Sequence, residues 1–173
     1  MKQTWITREE YEKDQRTLKR RLESRGPMSP PSFRAYRSGS QSITVATSEE
    51  LVHLNAKVWD NYRAFDEVTN HRWTCPVAGR YQINCAIRLK NESGVAANLY
   101  MRLRMGGAAG TVVLHPLQEM SVADTLVALR HGSCQYVFAV NDYVEMYVYT
   151  TQQPVTVADG LQYTFMDMFF IGT

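Results

Sequence analysis

The sequence predicts an all-β protein, a sandwich or jelly roll of about ten short strands with an N-terminal helical arm. Three observations predict it. Apolar and polar residues alternate along most of the chain from 33 to 171, the period-two mark of half-buried strands. Turn-forming Gly, Asn and Asp residues interrupt that stretch at short intervals. Ahead of it, residues 1–26 carry a dense charge pattern with helical spacing.

The arm comes first. Thr7-Arg8-Glu9-Glu10 is a capping box, in which Thr7 accepts an amide proton at N3 and Glu10 reaches back. Acids fill the first turn, bases fill the last, and Gly26-Pro27 ends the helix, in accord with the macrodipole and C-cap preferences. A helix of about 18 residues is the expectation. Tyr11, Leu18 and Leu22 share a stripe, but Asp14, Gln15 and Arg21 occupy the heptad positions between them, so a sustained coiled coil is disfavoured. The preferred reading is an anchor that lies on another subunit through Trp5, Ile6, Tyr11, Leu18 and Leu22. Residues 27–32, a Pro/Ser stretch, form the linker, and 33–173 form the head domain.

In the head, the strand-like runs are Phe33–Tyr36, Ser42–Ala46, His71–Cys75, Tyr81–Lys90, Leu99–Met105, Thr111–Leu114, Thr125–Leu129, Gln135–Val140, Tyr143–Tyr149 and Leu161–Ile171. Turn signals between them include Asn61-Tyr62, Ala78-Gly79, Ser93-Gly94, Gly106-Gly107, His131-Gly132, Asn141-Asp142 and Asp159-Gly160. Many short strands with frequent turns and no second helical pattern point to a sandwich or jelly roll.

Two strands are apolar on both faces. In the last, Tyr163, Phe165, Phe169 and Ile171 share one side while Met166, Met168 and Phe170 share the other. In the one before, Tyr143, Tyr147 and Tyr149 line the side opposite Val144, Met146 and Val148. A strand apolar on both faces is covered on both, and one jelly roll has a single core. The second face therefore predicts oligomerisation, with Tyr143, Tyr147, Tyr149, Phe165 and Phe169 as interface residues.

Val58-Trp59-Asp60-Asn61-Tyr62-Arg63-Ala64-Phe65-Asp66, followed by Trp73-Thr74-Cys75-Pro76-Val77-Ala78-Gly79-Arg80-Tyr81, resembles the central signature of the globular heads of complement component one subcomponent q and of the wider tumour necrosis factor-like superfamily. Phe33-Arg34-Ala35 is similar to the opening motif of that family, Val140-Asn141-Asp142-Tyr143-Val144 to its late turn, and Thr164 to Phe170 to its closing strand. Two positions depart from the pattern, Asn141 and Asp167, where the family usually has Gly. The resemblance implies a ten-stranded jelly roll packed as a homotrimer, with aromatic residues around the three-fold axis.

The chain has 173 residues, 45% of them apolar, and a net charge of +2. That charge divides into +3 over residues 1–26 and −1 over the other 147, a balance that disfavours nucleic acid as a partner. No apolar run approaches the ~20 residues of a membrane span, so no membrane insertion is expected. Met1 to Arg8 lacks the marks of a secretory signal. Cys75, Cys85 and Cys134 follow no metal-ligand spacing and read as structural. His53, His71, His115 and His131 form no local pair with a carboxylate, and the Gly106–Gly110 run lacks the Lys-Ser/Thr tail of a phosphate loop. Asp60, Asp66 and Glu67 offer oxygens for calcium but without an interleaved pattern. The expectation is no enzyme, no cofactor and no metal site.

Two functional expectations follow. The first is a structural virion protein made in the host cytoplasm: a capsid decoration, cement or head-fibre protein of a bacteriophage, docked on the major capsid protein or another virion protein through its arm. The alternative is a tail-fibre or adhesin head that binds a host receptor.

Overall fold

The computed structural model describes residues 29–107, 112–123 and 127–173, with 112–120 and 122 described by backbone alone. The predicted arm and its residues Trp5, Ile6, Tyr11, Leu18 and Leu22 lie outside the described residues. Pro31–Thr173 forms one compact unit.

Among the described residues there are thirteen strands: β1 (Ser32–Tyr36), β2 (Gln41–Ile43), β3 (Glu49–Leu51), β4 (Ala56–Asp60), β5 (Phe65–Asp66), β6 (Arg72–Thr74), β7 (Gly79–Asn91), β8 (Ala97–Gly106), β9 (Val112–Val122), β10 (Val127–Phe138), β11 (Tyr143–Thr150), β12 (Val155–Val157) and β13 (Phe165–Gly172). They form two antiparallel sheets. The seven-stranded sheet runs β2-β12-β7-β13-β1-β4, with β10 on the other edge of β7. The six-stranded sheet runs β5-β6-β11-β8-β9, with β3 also paired to β11.

The described residues thus hold thirteen strands where ten were expected. The strands that the sequence did not mark are β3, β4, β5 and β12, each two to five residues long. The expected turn at His131-Gly132 does not form. Gly132 pairs with Cys85 inside an unbroken ladder from Val127↔Lys90 to Phe138↔Gly79, so Thr125–Leu129 and Gln135–Val140 contribute to a single strand. Glycine weakens a strand only modestly, and eleven other cross-strand pairs hold this one. Strand β13 starts at Phe165, which leaves Leu161 and Tyr163 in the preceding turn.

The inward face of each long strand fills one core. Tyr81, Ile83, Cys85, Ile87 and Leu89 of β7 meet Leu99, Met101 and Leu103 of β8, Val144, Met146 and Val148 of β11, and Met166 and Met168 of β13. One end of this core is aromatic. Phe33 stacks on Phe65 and Trp73 at 5.2 and 5.9 Å, and Trp73 meets the Tyr81 edge at 5.0 Å. Phe138 and Phe170 also pack on Tyr81, at 5.8 and 5.3 Å. The buried Tyr81 hydroxyl donates to the Val77 carbonyl at 2.6 Å, so its burial leaves no polar group unpaired. Gly79 is required here: at φ +153, a Cβ would meet the Phe170 ring at 2.4 Å and the Gly172 carbonyl at 2.7 Å.

Candidate assembly face

The two sheets present very different outer surfaces. On the seven-stranded sheet, the register sets three cross-strand rows. Tyr36, Phe165, Ala86 and His131 form one, Arg34, Asp167, Asn84 and Ser133 the next, and Ser32, Phe169, Gln82 and Gln135 the third. In the first row the Phe165 and His131 rings approach to 6.5 Å beside the fully buried Ala86. The third row is open: Phe169 is 40% exposed, and the 38%-exposed Trp59 of β4 tilts against it at 6.4 Å. The same face carries Ile171, 48% exposed, and Val137, 61% exposed.

The middle row is a polar network. The Arg34 guanidinium donates to the Asp167 carboxylate at 3.2 Å, and the Asn84 side-chain amide donates to its other oxygen at 2.9 Å. The Gln82 amide bridges Asn84 Oδ1 and the Ser133 hydroxyl, at 3.2 and 2.6 Å. Asp167 is only 5% exposed. Burial pushes its carboxyl above the ordinary range, while Asn84 and Arg34 act to hold it down. Arg34 also lies over the Phe165 ring at 3.9 Å, which accounts for part of that ring's cover.

The six-stranded sheet carries the tyrosines, each under an arginine. Arg72 stacks on Tyr143 at 4.5 Å, Arg104 on Tyr147 at 4.2 Å, and Arg102 on Tyr149 at 5.1 Å. Glu49 pairs with Arg102 and Arg104, and the Tyr147 hydroxyl donates to Glu145 at 3.1 Å. Burial, then the Glu145 charge, pushes the Tyr147 hydroxyl up to about 12. Gly106 is needed beneath this ladder, because a Cβ there would lie 2.4 Å from the Tyr143 ring and hydroxyl.

The five predicted interface residues therefore do not form one surface. Phe165 and Phe169 lie on the outer face of the seven-stranded sheet, and Tyr143, Tyr147 and Tyr149 on the outer face of the opposite sheet. Alternation placed each ring outside its strand correctly but could not tell which sheet the strand joins. Trp59, Val137 and Ile171 were absent from that set. Val137 alternates with the inward Tyr136 and Phe138 inside the expected run Gln135–Val140, a signal that marks it as outward-facing.

The other candidate groups are occupied locally. Asp60 accepts from the Ala64 and Phe65 amides at 3.0 and 2.9 Å, and Glu67 pairs with Lys57 at 2.8 Å. Asp66 accepts from the Val68, Thr69 and Asn70 amides, which hold its carboxyl down to about 2. Among the described residues, no group of three or more His, Cys, Asp or Glu is placed to hold a metal ion. Burial raises the Cys75, Cys85 and Cys134 thiols, away from nucleophilic character.

With this geometry the chain is similar to solved jelly-roll domains of the tumour necrosis factor and complement type. Eiger TNF from S. frugiperda superposes with a TM-score of 0.61 at 9% identity, covering 84% of this chain and 94% of that one. The globular domain of zebrafish complement 1qA protein gives 0.59 at 16% identity, covering 82% and 97%, and murine APRIL gives 0.59 at 8% identity, covering 82% and 98%. No family model and no curated protein matches the sequence. The chain has the tumour necrosis factor-like jelly-roll fold, at identities that carry the fold alone.

Proposed function

We propose that this chain is the head of a homotrimeric structural protein of a virion, assembled through the outer face of its seven-stranded sheet and anchored by residues 1–26. The observation that carries the assembly is the asymmetry between the two outer faces. Tyrosines on one are stacked under arginines within the chain, whereas Trp59, Val137, Phe169 and Ile171 on the other remain exposed. Apolar surface rimmed by polar groups is a mark of association. At about 25 cal/mol per Å², covering the remaining surface of each such side chain contributes on the order of 1 kcal/mol.

The virion role rests on the sequence of the arm, with its charged, capped helical pattern, joined by a Pro/Ser linker to a head without catalytic motifs. Deleting residues 1–26 should leave a soluble trimer that no longer associates with particles, as measured by co-sedimentation with capsids. Binding at wild-type occupancy would overturn the anchor.

A second reading, a receptor-binding head of a tail fibre or adhesin, is favoured by a cleft at one end of the sandwich. It is lined by Tyr62, Arg63, Thr74, Pro76 and Asn141 among others.

A further inference from the structure

The cleft has a volume of about 570 Å³ and lies between two rigid turns. The β4–β5 turn is staked from below by Asp60, whose two carboxylate oxygens hold the Ala64 and Phe65 amides while Arg63 N donates to Asp60 O at 3.4 Å. That clamp holds Arg63 at φ +55, in the left-handed region that a non-glycine residue rarely adopts. The β10–β11 turn is fixed to Cys75, just after β6, by two bonds and braced within itself by a third. Cys75 N donates to Asp142 O at 2.6 Å, Asn141 N to Cys75 O at 2.9 Å, and Ala139 N to the Asp142 carboxylate at 2.8 Å. Asn141 is also left-handed there, at φ +72. Two strained residues, one on each wall, face the same opening. Such strain persists where surrounding structure over-determines it, and it clusters at binding sites.

The charges in the cleft are unevenly committed. Asp66 is saturated by backbone amides and Glu67 by Lys57. Among the described residues, the Arg63 guanidinium has no ion-pair partner, and the side chains of Asn141, Thr74 and Tyr62 make no hydrogen bond to another described residue. The opening thus combines the Arg63 guanidinium, the Asp66 and Glu67 carboxylates engaged as above, one amide, two hydroxyls, and the apolar surfaces of the Tyr62 ring and Pro76. A guanidinium pairs bidentately with a carboxylate. Amide and hydroxyl groups around an apolar wall suit a ring that bears hydroxyls on its rim and C–H groups on its face. A bare inorganic anion would satisfy Arg63 and leave most of the cleft unfilled.

We propose that this cleft binds a carboxylate-bearing sugar unit of a surface polysaccharide, with Arg63 holding the carboxylate and Asn141 and Thr74 the ring hydroxyls. The inference gives the receptor-binding reading its ligand class. It stands apart from the assembly face, because one chain supplies both walls.

The matched pair galacturonate and galactose tests it, since the two differ only in the carboxylate. Ligand titrations followed by protein NMR on the full chain should show saturable, millimolar binding of galacturonate with shifts confined to the two turns. Galactose, and galacturonate on Arg63→Gln, should bind at least about tenfold more weakly, as expected for a lost charged hydrogen bond. Asn141→Gly, which suits the left-handed turn, should weaken galacturonate several-fold with the spectrum otherwise unchanged. The proposal is overturned by absence of saturable galacturonate binding, by equal affinity for galactose, or by an Arg63→Gln variant that binds as the wild type does. Inorganic phosphate binding as tightly as galacturonate at the same turns would reduce the cleft to an anion site and also overturn it. Adhesion of the protein to host cells without galacturonate binding would sink this inference while leaving the receptor-binding reading in place.

Discussion

Asp66 shows how much of a loop one carboxylate organises. It gathers three successive backbone amides and the Asn70 side chain, and these bonds hold its carboxyl near 2 against an ordinary 3.8. A depressed carboxyl contributes stability that is present above the ordinary value and lost as pH falls through the folded one. Its contribution should therefore fade between pH 3.8 and about 2, and Asp66→Asn should flatten the stability-versus-pH slope in that window, measured by denaturant midpoints. An unchanged slope would remove Asp66 as its source. Asp167 works in the opposite direction. Its carboxyl is raised by burial, so its ionised form is less favourable in the fold than in the unfolded chain. That strain eases as pH falls through the raised value. Both acids are plain in the sequence, but their roles were not: Asp66 depends on amides of its own loop, and Asp167 on Arg34 and Asn84 from two other strands.

At the scale of strands, the clearest case is β11. Its alternation predicts Val144, Met146 and Val148 inside and three tyrosines outside, and the structure agrees. What alternation cannot supply is the neighbour. Pairing with β8 brings Arg102 and Arg104 over Tyr149 and Tyr147, and pairing with β6 brings Arg72 over Tyr143. The rings that implied a second subunit are covered by arginines of the same chain. Arg104→Ala should cost about 1 kcal/mol through the lost cation–π contact and the lost bond to Glu49, read as a lower denaturation midpoint without a change in oligomeric state. Strand β10 teaches the converse. His131-Gly132 reads as a turn in the sequence, yet a glycine with ladder partners on both sides of it in the chain stays in the strand. In β13 the same period reading separated Met166 and Met168 from Phe165, Phe169 and Ile171 correctly, since both faces of that strand are rich in large side chains.

Across the whole molecule, the sandwich was legible because a period of two is local, and the motif residues Phe33, Phe65, Trp73 and Tyr81 meet in one aromatic cluster. The distribution of strands between the sheets was not legible, because it depends on pairings such as β1 with β13 that span most of the chain. That distribution decides which outer face remains for a partner. Analytical ultracentrifugation of the wild type beside Ile171→Glu and Tyr147→Glu tests this most directly. The wild type should sediment as a trimer, Ile171→Glu as a monomer, and Tyr147→Glu as a folded trimer of lower stability. A monomeric wild type, or a trimer that survives Ile171→Glu and is lost with Tyr147→Glu, would contradict assembly through the seven-stranded sheet.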